Sequence, residues 1–86
     1  MATITWTKKA AKQLGRLAAT DRATVASGVG DLADWPNCRN VKALTDRTDF
    51  RLRVGRWRVL FTVDTSGNPV VIRIEEVKKR DDRTYN

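Results

Sequence analysis

Residues 50–61 decide the fold, and they read FRLRVGRWRVLF. Apolar and basic side chains alternate on both sides of the pair Gly55-Arg56, which is the pattern of two strands joined by a two-residue turn. Glycine suits the first central position of such a turn because it adopts a positive φ at little cost. The stretch therefore predicts a β-hairpin.

The predicted turn fixes which side chains share a face of the sheet. It places Arg53 opposite Arg58, and Arg51 joins them because it lies two residues away on the same strand. The other face is apolar and meets the rest of the core through Phe50, Leu52, Val54, Trp57, Val59 and Phe61. Like charges directly opposite each other destabilise a hairpin, so the three arginines predict an anion whose phosphate oxygens they hold. A solvated basic face, or pairing with Glu75 and Glu76, is the alternative.

The N-terminal half predicts a short strand and a helical hairpin. Residues 3–6 alternate as a half-buried strand does, and two amphipathic helices follow. Thr7 offers a hydroxyl that caps the first helix, and Thr20 or Asp21 caps the second. The second helix ends before Pro36, because proline disfavours helical geometry in the residue that precedes it.

The C-terminal half predicts β-structure. Residues 37–49 form a loop, in which residues 41–44 dock against the core. Turn-forming residues dominate 64–69, and residues 70–74 form the next strand before a charged segment. The chain is thus a single α+β domain over residues 1–86, with the order β-α-α-β-β-β and a helical hairpin packed on one face of a mostly antiparallel sheet.

Charge points to the class of partner. The chain has 17 lysines and arginines against 10 acidic residues and no histidine, which gives a net charge of +7. Such a balance indicates nucleic acid, an acidic protein or a membrane surface. Residues 50–63 contain four arginines and no acid, so the bias is strongest at the predicted hairpin.

Other classes of function find little support in the composition. Cys38 is the only cysteine, which excludes an intramolecular disulfide and predicts a reducing, cytoplasmic compartment. One thiol without histidine argues against a zinc site, and no motif indicates a cofactor. The first residues do not form a signal peptide, and no run of about 20 apolar residues predicts a membrane span.

A family resemblance rests on three parts of the chain. The hairpin stretch resembles the signature of the RelE/ParE toxin superfamily. The opening Ile4-Thr5-Trp6 and the ending Val77-Lys78-Lys79-Arg80, with a late tyrosine, resemble the two ends of that fold. The resemblance implies a RelE-like domain and, for a RelE-type member, a ribosome-dependent endoribonuclease that cuts mRNA as the toxin of a type II toxin–antitoxin system.

The resemblance also implies the site residues. The family's catalytic set maps onto Arg51, Arg53, Arg58, Arg80 and Tyr85, and we expect further RNA contacts from Arg56, Lys78, Lys79 and Arg83. RelE itself often has lysine at the two strand positions that are Arg51 and Arg53 here, and the spacing from Arg80 to Tyr85 is one residue shorter. The implied partners are mRNA, the ribosome and a cognate antitoxin in a hetero-oligomer, with no membrane and no cofactor.

Three other functions are compatible with the same residues. A ParE-like member would share the scaffold and inhibit DNA gyrase without ribonuclease activity. A non-catalytic module would bind nucleic acid in a salt-sensitive way without cleaving it. An inactive remnant of a toxin would do neither.

Overall fold

The computed structural model describes residues 2–44 and 49–79. Its N-terminal elements are β1 (Ala2–Trp6), α1 (Lys8–Gly15), α2 (Ala19–Gly30) and a 3₁₀ helix (Asp31–Asp34). The strands that follow are β2 (Val41–Ala43), β3 (Asp49–Val54), β4 (Trp57–Asp64) and β5 (Val70–Lys79). They form, within the described ranges, one five-stranded sheet in the order β1-β5-β4-β3-β2, in which β1 runs parallel to β5 and the other pairs are antiparallel.

The predicted α+β class is confirmed, with two corrections to the strands. Val41 pairs with Leu52 and Ala43 with Phe50, so a short strand stands where a docked loop was predicted. Three residues are too few for an alternating pattern to be recognised, and the neighbouring strand supplies the pairing. β5 is twice the predicted length, since a bulge at Glu75 lets it continue to pair with β4.

The two helices differ in how their N-termini are capped. The Thr7 hydroxyl accepts a hydrogen bond from the Ala10 amide at 3.0 Å, so the predicted cap of α1 is confirmed. The predicted cap of α2 is wrong, because Ala18 occupies the N-cap position and no side chain caps the helix there. Thr20 and Asp21 lie inside its first turn, where tertiary packing of Val25 and Val29 outweighs a local capping preference.

The core lies between the two helices and one face of the sheet. Its fully buried members come from both helices, the 3₁₀ helix and the central strands, with Phe61 the largest. Trp35 packs edge-on against Phe50 and Phe61, with ring centroids 5.0 and 5.9 Å away. The described residues bury no polar or charged side chain, so the charged side chains of the sheet lie outside this core.

Helix α1 also covers an edge of the sheet. β1 stops pairing with β5 at Trp6 and Ile74, and α1 lies beside β5 beyond that point. The Gln13 side-chain oxygen accepts a hydrogen bond from the Val77 amide at 2.7 Å, which replaces a missing strand partner. This placement brings Lys9 of α1 round the edge to the face opposite the helices. No helix in the described part is long and apolar enough to cross a membrane.

Candidate nucleic-acid interface

The β3–β4 hairpin has the predicted register. Val54 pairs with Trp57 and Arg53 with Arg58. Gly55 has a φ of +56°, the left-handed region that glycine enters at little cost. The face directed away from the helices carries the three predicted arginines, and we call it the arginine face.

Three cations form a row across the arginine face. Arg58 on β4 stands opposite Arg53 on β3 and opposite Lys78 on β5. Residues paired in this way lie about 5 Å apart between Cα atoms. We call Arg53, Arg58 and Lys78 the cationic row. Arg51 lies about 7 Å further along β3, opposite Lys42 of β2.

The acidic side chains nearby pair with other cations. Lys9 donates to Glu76 at 2.8 Å, and the Lys78 ammonium lies 3.7 Å from the same carboxylate. Glu75 pairs with Arg73 at 3.4 Å. Among the described residues, no carboxylate forms an ion pair with the three arginines, so they are not the partners of Glu75 and Glu76.

Arg58 is the most constrained of the three. Its side chain is half-buried, and its Nε atom is shielded from solvent without an acceptor among the described residues. Leaving an enclosed polar group unpaired costs roughly 1–3 kcal/mol. Such an orphaned donor calls for an explanation, and the cost is offset if the other N–H groups of the same guanidinium group bind an anion.

The far end of the arginine face has a different character. There Thr62 donates a hydrogen bond to Glu75 at 3.4 Å, and Lys9, Asp49, Leu60, Thr62, Glu75 and Glu76 line a shallow cavity of about 290 Å³. The hydrogen bond from Lys9 and the charge of Lys78 lower the pKa of Glu76, against an opposing effect of burial. The carboxylate is therefore held in its charged form at neutral pH.

The structure brings together only some of the residues that the sequence predicted. Arg51, Arg53, Arg58 and Lys78 share the arginine face, and Arg56 is exposed at the turn beside them. Lys79 pairs with Trp57, so it belongs to the opposite face. Arg80, Arg83 and Tyr85 lie outside the described residues.

Two further cations on this face were not predicted. Lys42 is opposite Arg51, and the three-residue strand that places it there is too short for its sequence pattern to be recognised. Lys9 belongs to a helix, and no local pattern indicates that it reaches Glu76. Within residues 2–44 and 49–79, no group of three or more His, Cys, Asp or Glu side chains is placed to hold a metal ion.

Comparison with known proteins identifies the fold. No family model matches the chain, and no curated protein sequence matches it. A RelBE toxin–antitoxin complex from Mycobacterium tuberculosis contains a chain with a TM-score of 0.77 and 28% identity, over 91% of this chain and 96% of that one. The isolated E. coli RelE toxin also gives 0.77, at 15% identity over 96% and 89%.

A third solved structure extends the range of organisms. The RelB–RelE complex from Methanococcus jannaschii gives a TM-score of 0.69 at 18% identity, over 93% of each chain. The similarity spans almost the whole of each protein and includes the helical pair and the mixed sheet. This chain therefore has the fold of the RelE toxin superfamily.

Proposed function

We propose that this chain is the toxin of a type II toxin–antitoxin pair and that it acts in the cytoplasm as a ribosome-dependent endoribonuclease. The observation that carries the proposal is the cationic row, in which Arg58 stands between two other cations without an acidic partner among the described residues. The fold supports the toxin assignment, because the similar chains include RelE toxins both free and in complexes with RelB.

The reaction needs little covalent chemistry from the protein. The 2′-hydroxyl of the RNA attacks the adjacent phosphorus as it loses its proton, and the bond to the 5′-oxygen breaks. The products are a 2′,3′-cyclic phosphate and a 5′-hydroxyl end, which receives a proton. Negative charge on the phosphate oxygens is greatest in the transition state, so fixed guanidinium groups accelerate the step by stabilising that charge.

Roles follow from the chemistry of each side chain. Arg51, Arg53 and Arg58 hold the scissile phosphate, for which a guanidinium group offers two parallel hydrogen bonds. Arg80 stands beside the leaving 5′-oxygen in this proposal. Tyr85 either stacks on a base or accepts the proton of the 2′-hydroxyl. Arginine itself stays protonated and is a poor base, so the enzyme depends on the ribosome to align the attacking group.

The proposal includes an antitoxin. A surface with a net charge of +7 favours an acidic partner through complementary potential. Expression of this chain alone should stop growth, and co-expression of the small gene beside it should restore growth. Growth that is unaffected by the chain alone would contradict the toxin assignment.

The decisive experiment maps RNA ends. Purified protein is added to translating ribosomes, and cleavage is expected within the A-site codon, with 2′,3′-cyclic phosphate ends. Free mRNA without ribosomes should be cut far more slowly. Intact mRNA and normal polysomes would contradict the ribonuclease, and a loss of gyrase supercoiling in a parallel assay would then favour the ParE-like function.

A further inference from the structure

The proposed reaction leaves one proton transfer without a side chain. When the bond between phosphorus and the 5′-oxygen breaks, that oxygen leaves as a strongly basic alkoxide unless it receives a proton. Arginine stays protonated in proteins, so the arginines that hold the phosphate stabilise charge but do not donate this proton. The same holds for Arg80, which the proposed function places beside the 5′-oxygen. The chain has no histidine, so the donor must be a different kind of side chain.

The cationic row contains one lysine beside its two arginines. Lys78 of β5 stands directly opposite Arg58 of β4, which in turn stands opposite Arg53 of β3. Directly paired residues lie about 5 Å apart between Cα atoms, so the three side chains reach a common anion. A lysine ammonium can give up a proton, whereas a guanidinium group cannot do so in a protein. Lys78 is therefore the one member of the row that can transfer a proton.

A carboxylate positions the Lys78 ammonium. The Oε2 atom of Glu76 lies 3.7 Å from the Lys78 Nζ atom, and its Oε1 atom accepts a hydrogen bond from Lys9 of α1 at 2.8 Å. The carboxylate is thus held from the helix on one side and faces the ammonium on the other. The Lys78 side chain is 53% exposed against 21% for Glu76. Because an ammonium group has three donors, the contact with Glu76 leaves N–H groups that a substrate can reach.

We propose that Lys78 is the general acid of the cleavage reaction and that Glu76 is its positioning residue. As the bond between phosphorus and the 5′-oxygen breaks, its electron pair stays on the oxygen and takes the proton from the Lys78 Nζ atom. The product is the 5′-hydroxyl end, and the neutral amine regains a proton from solvent before the next turnover. The proposal rests on the ribonuclease function proposed above and assigns the proton that the arginines do not supply.

The first test separates proton transfer from positive charge. Lys78→Arg keeps the charge and the hydrogen-bond donors but loses the transferable proton, and Lys78→Ala loses all three. General acids contribute typically 10²–10⁴-fold, and since solvent reaches this side chain, we expect both variants to cut mRNA on ribosomes about 50-fold more slowly. A residue that acts through charge alone would tolerate arginine. Thermal unfolding of both variants checks that they remain folded.

The decisive test changes the leaving group. An mRNA is prepared with sulfur in place of the 5′-oxygen at the bond that end mapping identifies as the cleavage site. A thiolate is a far weaker base than an alkoxide and leaves without a proton, so this substrate does not need a general acid. Both Lys78 variants should therefore cut it at a rate within about threefold of the wild type, because the contribution of acid catalysis is lost from all three proteins.

The matched control is Arg58→Ala, which loses a contact to the phosphate and should stay slow with either leaving group. Glu76→Gln should lower kcat with the oxygen substrate, leave KM unchanged and recover with sulfur, as a positioning residue for the acid does. A Lys78→Arg variant with the wild-type rate, or an equal defect of Lys78→Ala on both substrates, overturns the general acid and leaves the ribonuclease standing. A wild-type protein that cuts neither mRNA on ribosomes refutes the ribonuclease and the general acid together.

Discussion

The two ends of the arginine face differ in whether their arginines form ion pairs. At the hairpin end, Arg53 and Arg58 stand opposite each other without a carboxylate partner among the described residues. At the far end, Arg73 is exposed on the same face and pairs with Glu75 at 3.4 Å. The chain thus places Glu75 and Glu76 on this face, and among the described residues these two acids pair with Arg73, Lys9 and Lys78 and not with the facing arginines.

This difference separates a functional surface from a structural one. Paired surface charges contribute little to stability, typically below 1 kcal/mol, and they need no ligand. Facing arginines repel each other, and the enclosed Nε of Arg58 adds the cost of an unsatisfied donor. A sheet that tolerates these costs at one end only is organised to receive an anion there, and substitutions at the two ends should have unequal effects.

The largest effect is expected from Arg58→Ala. Loss of one fixed positive donor at a developing charge typically lowers a rate by about 10²–10³-fold, and we expect a fall of about 100-fold in mRNA cleavage on ribosomes. The protein should remain folded, because the substitution removes an unsatisfied group from the sheet. Growth inhibition in cells provides a second measurement of the same loss.

The matched control is Arg73→Ala at the far end. This arginine lies on the same face, is more exposed and is engaged by Glu75, so its loss should change the cleavage rate by less than about twofold. Comparable losses from both substitutions would mean that the face acts through total charge alone, and the contrast between its ends would disappear.

The second effect concerns the packing that supports the hairpin end. A Cβ atom added at Gly28 of α2 would lie 2.8 Å from the Cγ2 atom of Val54, the last residue of β3 before the turn. Overpacking lowers the free energy of unfolding by about 1–3 kcal/mol. The higher helix propensity of alanine offsets up to about 1 kcal/mol of that loss. We expect Gly28→Ala to destabilise the protein by about 1 kcal/mol, measured by thermal unfolding in the Arg58→Ala background so that cells tolerate expression.

Gly30 offers the control for this packing. It lies in the same helix, and an added Cβ would meet nothing within 4 Å. Gly30→Ala should therefore raise stability by up to about 1 kcal/mol. If both alanines raise the melting temperature, Val54 yields to the added methyl group, and the hairpin end is less tightly packed than the contact distance indicates.

The sequence predicts the β3–β4 hairpin better than the contacts that β5 and α1 make on the same face, because the two depend on contacts of different range. A two-residue turn is local, so Gly55 was enough to place Arg53 opposite Arg58 and to assign both faces of the hairpin. The position of Lys78 beside Arg58 depends on a bulge at Glu75, which no nearby pattern marks. The pairing of Lys9 with Glu76 joins a helix to a strand across 67 positions of sequence.

Other parts of the site had no local signal that could settle them. The strand β2 forms only because β3 offers it a partner, so Lys42 was assigned to a loop. The roles of Arg80 and Tyr85 stay predictions from the family resemblance, and their test is the cleavage assay with each residue substituted in turn.

The smallest effect is a pH dependence at the far end. Hydrogen bonding from Lys9 and the charge of Lys78 lower the pKa of Glu76 in the folded protein, so the unfolded chain binds a proton at higher pH than the folded chain. The ion pair therefore stabilises the protein above the ordinary pKa of glutamate, about 4.3, and that contribution is lost as the pH falls through the lower folded-state value.

Glu76→Gln should remove this dependence of stability on pH. Because Lys9 is largely exposed, with 64% of its side-chain surface accessible, we expect a loss below about 1 kcal/mol at pH 7, and the gap to the wild type should close below about pH 4. Both proteins are compared by urea unfolding at several pH values, again in the Arg58→Ala background. Lys9→Met should reproduce most of the loss, and the double variant should lose little more. Fully additive losses would show that Glu76 stabilises the protein through Lys78 of the same strand. The stabilising ion pair would then lie within the sheet and not between the sheet and α1.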